Sequence, residues 1–494
     1  MTYRGKTLAL IAGLLVLRLI ALRLSPNQLH GDEAQYWVWA QELDFGYFSK
    51  PPMVAWVIAS TTAIFGDTEW AVRLASPIIH SLTAWILFLT GRTLVDDRAG
   101  FWAAAIYLLM PAVWLSSMII STDVALLFFW ALGVNAWVNL RIKPSWGRAV
   151  QLGIALGLGF MSKYAMMFFG PAFALAIMFD PATRKALLHW RGLAGLLIMA
   201  AIITPNILWN IDHDFATVSH TAENANLKQD MFHPMELITF WIDQFGVFGP
   251  ISLALLLGAL AAAFKRQISP MVFWLAALCI TPLIAISIEA LISRANANWA
   301  VTAYGVAPVI LAVWLVGRAR ARAWMKWGLI GHTALALILL PIVLMPAWTD
   351  ALGLANSVKR LRGWPETVNA IAARYEAGHN GQSFQSIAMD NRLVFYDTEY
   401  YGLRDMAPLT FWRLTSEAKH HAEMTHPLTA SAAKDAPVLL INHYENYVSF
   451  FEQDFAKLEA LEAIKIDLGG GKTRHLNVWA AYGYTPTTDP YRGQ

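Results

Sequence analysis

Residues 6–24, KTLALIAGLLVLRLIALRL, form a nearly unbroken apolar run, and a few residues later the chain reads HGDEAQYW (30–37). The run is long enough for a helix to cross a bilayer, which takes about 20 apolar residues. Arg4 and Lys6 precede it as in a secretory signal. Arg18 and Arg23 interrupt it, however, and no small-residue cleavage site follows, so it is expected to stay as an anchor. Working outward, similar apolar runs recur at 72–91, 99–118, 123–140, 149–162, 164–179, 192–209, 236–263, 270–291, 300–317 and 327–346. The proline-led segment 51–66 is shorter and reads as an interfacial helix.

The fold class expected is therefore a polytopic α-helical membrane protein of about 11 spans. Composition agrees with this. The 494-residue chain is 57% hydrophobic and 14% charged, against roughly 45–50% and about 25% in ordinary soluble domains. It holds 22 Trp, 25 Phe and 15 Tyr. A net charge of +3 gives no footing for a nucleic-acid partner. The one cysteine, Cys279, lies in an apolar run and excludes an intramolecular disulfide.

The spans stop near Trp348. Beyond it, the helix-like stretch 358–378 alternates with the strand-like SIAMD (386–390), APVLLIN (436–442) and HLNVWAAYG (475–483). That pattern predicts a C-terminal soluble α/β domain over 349–494, following a transmembrane catalytic domain over 1–348 whose first outer loop is 25–71. With the N-terminus inside, the inner connections carry sixteen basic residues. The outer ones carry six: Arg23, Lys50, Arg73, Lys163, Lys228 and Arg294. The bias follows the positive-inside rule and places the C-terminal domain outside the cytoplasm.

This orientation gathers the chemistry-bearing residues on one face. Asp32, Glu33 and Tyr36 lie just beyond the first span, and Lys50 precedes Pro51-Pro52. Arg73 lies at the start of the second span. Asp123 opens the fourth, and Lys163 sits with Tyr164 in the turn between the fifth and sixth. The loop 210–227 adds His213, His220, Glu223 and Asn224, and SRANANWA (293–300) adds Arg294 and Asn298. Each has a plain structural reading: helix capping for the acids, snorkelling for Lys50, interfacial anchoring for Arg294. Together they suit a site in which a carboxylate accepts a hydroxyl proton and cations hold a phosphate. No Walker A, GxGxxG or GxSxG motif argues for a nucleotide, NAD or a serine hydrolase.

The ordered set HGDEAQYW, YFSKPPM (47–53), STD (121–123) and GLGFMSKYAMMF (157–168) resembles the GT-C membrane glycosyltransferases. Within them it is similar to the branch of glycosyltransferase family 39 holding lipid A aminoarabinose transferases and protein O-mannosyltransferases. Residues 209–227, QFGVFGP (244–250), SRANANWA and MDNRLVFYDTEYYG (389–402) look like a bacterial subgroup of that branch. The resemblance implies an enzyme of the bacterial inner membrane that transfers a sugar, with inversion, from a polyprenyl phosphate to an extracytoplasmic acceptor. That acceptor is lipid A, lipopolysaccharide or another envelope glycan, or, in the alternative, protein Ser/Thr. It also implies Asp32 as general base, Glu33 as the second acid, Lys50 on the donor phosphate and Asp123 as the acid at a later span's outer end. Charge and placement alone add Arg294 as a second phosphate ligand.

Two positions depart from the aminoarabinose transferases. Ser49 stands where an acidic residue commonly precedes the lysine, and Ala34-Gln35-Tyr36 replaces Pro-Arg-Tyr after the acidic pair. Both remove charge near the acceptor or metal position. No cofactor is firmly implied; the option of a divalent metal is weakened by these changes. A flippase for lipid-linked sugars is the rival from another class. It is disfavoured because no internal repeat is present and the acids fall at span ends.

Overall fold

The computed structural model describes residues 1–223, 232–433 and 436–493. All eleven apolar segments are helical. Among the described residues six helices are long and apolar enough to cross a membrane: Tyr3–Leu24, Glu69–Leu94, Thr122–Ile142, Trp190–Asp212, Pro270–Ile292 and Ala319–Ile342. Three further segments are bent pairs, so the count of spans is six, or up to nine if each pair is one span. Glycine and proline make the breaks. Pro234–Phe248 turns by 105° into Pro250–Phe264 at Gly249-Pro250. Gly249 has φ +89°, and a Cβ there would fall 1.9 Å from the His332 ring. The two remaining segments are the 17-residue Trp146–Ser162 and the pair Asp97–Leu109 and Pro111–Ser116, parted at a proline. The segment expected at the interface is the 13-residue helix Met53–Phe65.

The chain divides into two compact units. The first holds Met1–Leu24, Asp44–Gly46 and Lys50–Leu340. Its core is built from fully buried aromatics and aliphatics, Phe88, Tyr107, Trp130, Phe248 and Tyr304 among them. Tyr3–Leu24, Trp190–Asp212 and Ala319–Ile342 leave most of their apolar side chains exposed, as lipid-facing helices do. Arg18, a charge within a span, is buried and donates to the Leu108 carbonyl over 2.7 Å. Close helix approach relies on small residues: Gly153 faces Gly195 so tightly that a Cβ on Gly153 would lie 2.3 Å from the Gly195 oxygen.

The second unit holds Ser25–Leu43, Tyr47–Ser49 and Pro341–Gln494. The residues after the first span thus cluster with the C-terminal part of the chain. Its sheet comprises β1 (Ile387–Met389), β2 (Leu409–Phe411), β3 (Val438–Asn442), β4 (Phe455–Gly469) and β5 (Lys472–Tyr484). The order is β2-β1-β3-β5-β4. β1 pairs in parallel with both β2 and β3, whereas β5 runs antiparallel to β3 and β4. β1 and β3 are buried along their whole length, as parallel strands covered on both faces must be. The sequence located β1, β3 and β5; β4 and β2 escaped it. In β4, polar and small residues break the alternation, and few of its residues are fully buried.

A valine at Gly153 should force the Trp146–Ser162 and Trp190–Asp212 helices apart. We expect Gly153→Val to cost about 1–3 kcal/mol, the usual scale of overpacking, seen as a lower thermal midpoint of the detergent-purified chain. An unchanged midpoint would mean that the contact is not tight.

Candidate active site

In the second unit, the acidic pair opens the helix Gly31–Gln41. His30 is its N-cap: His30 Nδ1 accepts from the Asp32 amide over 3.2 Å, and Glu33 Oε2 accepts from the His30 amide over 3.1 Å. This reciprocal arrangement satisfies backbone donors that a helix start leaves orphaned. Glu33 is buried. Asp32 is its opposite, with a side chain 46% exposed. Its Oδ1 lies 3.1 Å from Arg392 Nη1, and the same nitrogen donates to Gln35 Oε1 over 2.6 Å. Arg392 begins the helix Arg392–Tyr400, whose N-cap Asn391 accepts from the amides of Leu393 and Val394. The two helices pack closely. Trp37 meets Tyr400 edge-on at 4.8 Å, and a Cβ on Gly31 would fall 2.6 Å from Leu393 Cδ2. Tyr36 is buried against Trp39, with ring centroids 5.3 Å apart.

The helix Arg392–Tyr400 carries a buried acid of its own. Burial holds the Asp397 carboxyl well above the usual carboxylate range; nearby Arg474 lowers it, and Glu33 and Asp32 raise it further. Asp390, which follows β1, is pushed up to about 6 by burial. It still accepts from Asn442 Nδ2 (2.7 Å) and from the amides of His443 and Tyr444 (2.8 and 3.0 Å).

In the first unit, three of the expected residues converge. Asp123 lies in the first turn of the helix Thr122–Ile142. Its Oδ1 is 2.7 Å from Lys163 Nζ, and its Oδ2 accepts from Asn298 Nδ2 over 2.8 Å. Lys163 directly follows the helix Trp146–Ser162, and Asn298 belongs to the 3₁₀ turn Ala297–Ala300. Beside Lys163, the Tyr164 hydroxyl donates to Asn206 (2.8 Å) and accepts from Asn210 (3.2 Å). His213 stacks on Trp209 at 4.1 Å, and Trp209 Nε1 donates to Asp44 Oδ2 over 2.6 Å.

The remaining candidates are placed by their elements. Lys50 is half-buried, just before the Pro-Pro pair that opens Met53–Phe65. Arg73 is buried in the last turn of Glu69–Arg73. Arg294 is exposed, shortly beyond Pro270–Ile292. His220 lies in Ala216–Glu223, and Asn224 is outside the described residues. No group of three or more His, Cys, Asp or Glu that could hold a metal ion occurs among the described residues. Sequence reasoning missed Arg392 and Gln35 as partners of Asp32. The signal for Arg392 was its place in MDNRLVFYDTEYYG, one of the stretches that carry the resemblance.

Chemically, Asp32 is a carboxylate with a guanidinium on one oxygen and solvent access, able to receive a proton or a hydroxyl hydrogen bond. Asp123 differs, since both its oxygens are occupied.

The chain as a whole is similar to known proteins. The chain is 35% identical to the lipid A galacturonosyltransferase RgtD of Rhizobium johnstonii, over 81% of this chain and 82% of the relative. The chain belongs to the GT-C membrane glycosyltransferases. The family model of dolichyl-phosphate-mannose-protein mannosyltransferase matches residues 49–209. An undecaprenyl phosphate-4-amino-4-deoxy-L-arabinose arabinosyl transferase of Pseudomonas fluorescens is 29% identical over 34% of this chain and 32% of its own. Among solved structures, ArnT of Cupriavidus metallidurans in the apo state is similar across 97% of this chain and 98% of that one. Its TM-score is 0.63 at 16% identity, so the fold is shared. The protein is thus a glycosyltransferase with an ArnT-like GT-C membrane fold and a small C-terminal sheet domain.

Within this GT-C enzyme, removing Lys163 would strand the Asp123 carboxylate. Breaking one partner of a buried pair costs about 3–5 kcal/mol. Lys163→Met should therefore lower the thermal midpoint sharply, and Asp123→Asn added to it should recover part of the loss. Additive losses in the double variant would show that the two side chains do not interact.

Proposed function

We propose that this glycosyltransferase moves a sugar from a polyprenyl phosphate of the undecaprenyl type to lipid A or a related envelope glycolipid, with inversion at the anomeric carbon. The observation that carries the reading is the half-exposed Asp32 carboxylate, fixed on a capped helix by Arg392. The named activity of the 35% identical relative points to lipid A as acceptor and galacturonic acid as the first sugar to test. An ArnT structure of the same fold, bound to undecaprenyl phosphate, supports a polyprenyl carrier. We place the protein in the bacterial inner membrane, with the N-terminus cytoplasmic and the C-terminal domain periplasmic. Sixteen basic residues on the inner connections against six on the outer ones support that orientation.

In this reading Asp32 takes the proton of the acceptor hydroxyl as its oxygen attacks the sugar's anomeric carbon. The bond from that carbon to the phosphate oxygen breaks on the opposite face, and the electron pair leaves with the polyprenyl phosphate. Lys50 and Arg294 offset the charge that gathers on the departing phosphate. Arg392 orients Asp32 through its Nη1, without touching substrate. Glu33 holds the helix start that carries Asp32. Asp123, saturated by Lys163 and Asn298, fixes the outer end of its helix.

The test is a reconstituted assay with polyprenyl-phosphate galacturonic acid and lipid A, read by mass spectrometry. Asp32→Asn should lower transfer about 10²–10⁴-fold, the scale of a lost general base. Lys50→Ala should be similarly impaired, with both variants still folded in the membrane. Wild-type turnover in the Asp32 variant would remove it as the base. Sugar found on protein Ser/Thr instead of lipid A would replace the acceptor class.

A further inference from the structure

We propose that the pocket at the carboxyl ends of β1 and β3 binds an anionic oxygen group, phosphate or carboxylate, on the headgroup of the glycolipid acceptor. The inference rests on the acceptor class argued above and assigns that acceptor a contact outside the reacting groups.

Topology marks the place. β1 lies between β2 and β3, both parallel to it; the chain steps from β1 to β2 on one side and then from β2 across to β3 on the other, so its direction along the sheet reverses there. The crevice outside the carboxyl ends at such a reversal is where open α/β sheets receive ligands. Here it is a cavity of about 350 Å³, lined by Asn391 after β1 and by His443 and Tyr444 after β3. Gly31, beside Asp32, forms part of its wall.

Its charge is one-sided. Lys359, Arg360 and Arg474 line it, against one acid, Asp397, and His443 and His475 add imidazoles, that of His443 lowered in pKa by burial and by Arg474 and Arg360. Arg474 is buried and rigidly aimed. Its guanidinium lies 3.3 Å from the centre of the Trp364 ring and donates to the carbonyls of Gly363 and Arg362 and to the Thr367 hydroxyl. No carboxylate is paired with it in these contacts, and burial lowers its pKa to about 10, the mark of a cation held without full compensation. Asp397 is 1% exposed, and its Oδ1 has no hydrogen-bond partner among the described residues. A buried polar atom left unsatisfied costs free energy unless something meets it. Burial raises the Asp397 carboxyl well above its usual range, and in its neutral form that carboxyl offers an O–H that an incoming oxyanion can accept. Arg360, His443 and His475 stand exposed at the rim, where a headgroup would enter. A buried guanidinium, the Lys359 and Arg360 cations, imidazole N–H groups and one buried carboxyl with an unpaired oxygen make a donor set suited to an oxyanion. An apolar tail or a neutral sugar would leave it unsatisfied.

The test uses the full-length protein in zwitterionic-lipid nanodiscs, titrated with bis-phosphorylated lipid A and with the same lipid stripped of phosphate. Arg360→Ala/His475→Ala changes only exposed side chains, so folding should be kept; an unchanged thermal midpoint checks this. The wild type should bind the phosphorylated form about tenfold or more tightly than the stripped form, the scale of one or two charge-assisted hydrogen bonds. The double variant should lose most of that preference. Inorganic phosphate at millimolar concentration should compete in the wild type. A preference that survives in the double variant overturns the pocket. Competition by inorganic phosphate with equal affinity for both lipids reassigns the site to a free anion and overturns the headgroup assignment. These are binding measurements, so a failure of sugar transfer to lipid A would sink the function proposed above and leave this result readable.

Discussion

An ion pair between side chains 360 positions apart in sequence, Asp32 and Arg392, governs the second unit. Asp32 stands on a helix of only 11 residues, Gly31–Gln41, too short to be stable alone in water. Its start is closed by the His30–Glu33 capping box, and its flank is pressed onto Arg392–Tyr400 through Trp37 and Gly31. A proton acceptor on a flexible loop would lose its alignment with a reacting hydroxyl, and small misplacements are expensive in rate. The capping, the glycine and the aromatic edge contact all serve one requirement: a carboxylate that is rigid and yet wet.

The first unit solves the opposite problem, that of keeping polar groups inside an apolar medium. Polar groups buried there find partners within the protein, because no bulk water is available. Arg18 donates to the Leu108 carbonyl and lies over Trp114 at 5.2 Å. His80 bridges the Tyr107 and Ser116 hydroxyls at 2.8 and 2.9 Å. Asp123, Lys163 and Asn298 close on one another in the same way at the end of their helices. These polar side chains are tied into small local networks, and much of the apolar remainder is free to face lipid.

Most of the membrane architecture was legible because apolar run length is a strong signal. Every expected span is helical, and what the pattern did not reveal was bending. Gly249-Pro250 turns what reads as one long run, 236–263, through 105°, because composition reports apolarity and only backbone geometry reports direction. In the second unit, VLLIN was readable as a buried strand, whereas FAKLEALEAIKIDLG was not. The latter is an edge strand stabilised by its hairpin partner β5, and an edge needs no apolar face of its own. The site was half legible. Asp123, Lys163 and Asn298 were named from their places at span ends, and they meet. Arg392 was hidden because long-range pairing leaves no periodic trace in sequence.

Adjacent acids in a motif invite the reading of two equivalent catalytic groups, and the helix geometry divides them. Successive residues on a helix point about 100° apart. At the first turn, that rotation turns one side chain back toward the N-cap and the other away from it. Glu33, at the third helical position, reaches the His30 amide and becomes buried there. Asp32, one residue earlier, cannot make that bond and faces Arg392 and solvent. Exchanging the order of the two acids would weaken the capping box, because aspartate is one methylene shorter than the glutamate that reaches the His30 amide. With the function proposed above, the motif divides into a structural acid and a chemical one, and the geometry of the helix start sets which acid closes the capping box.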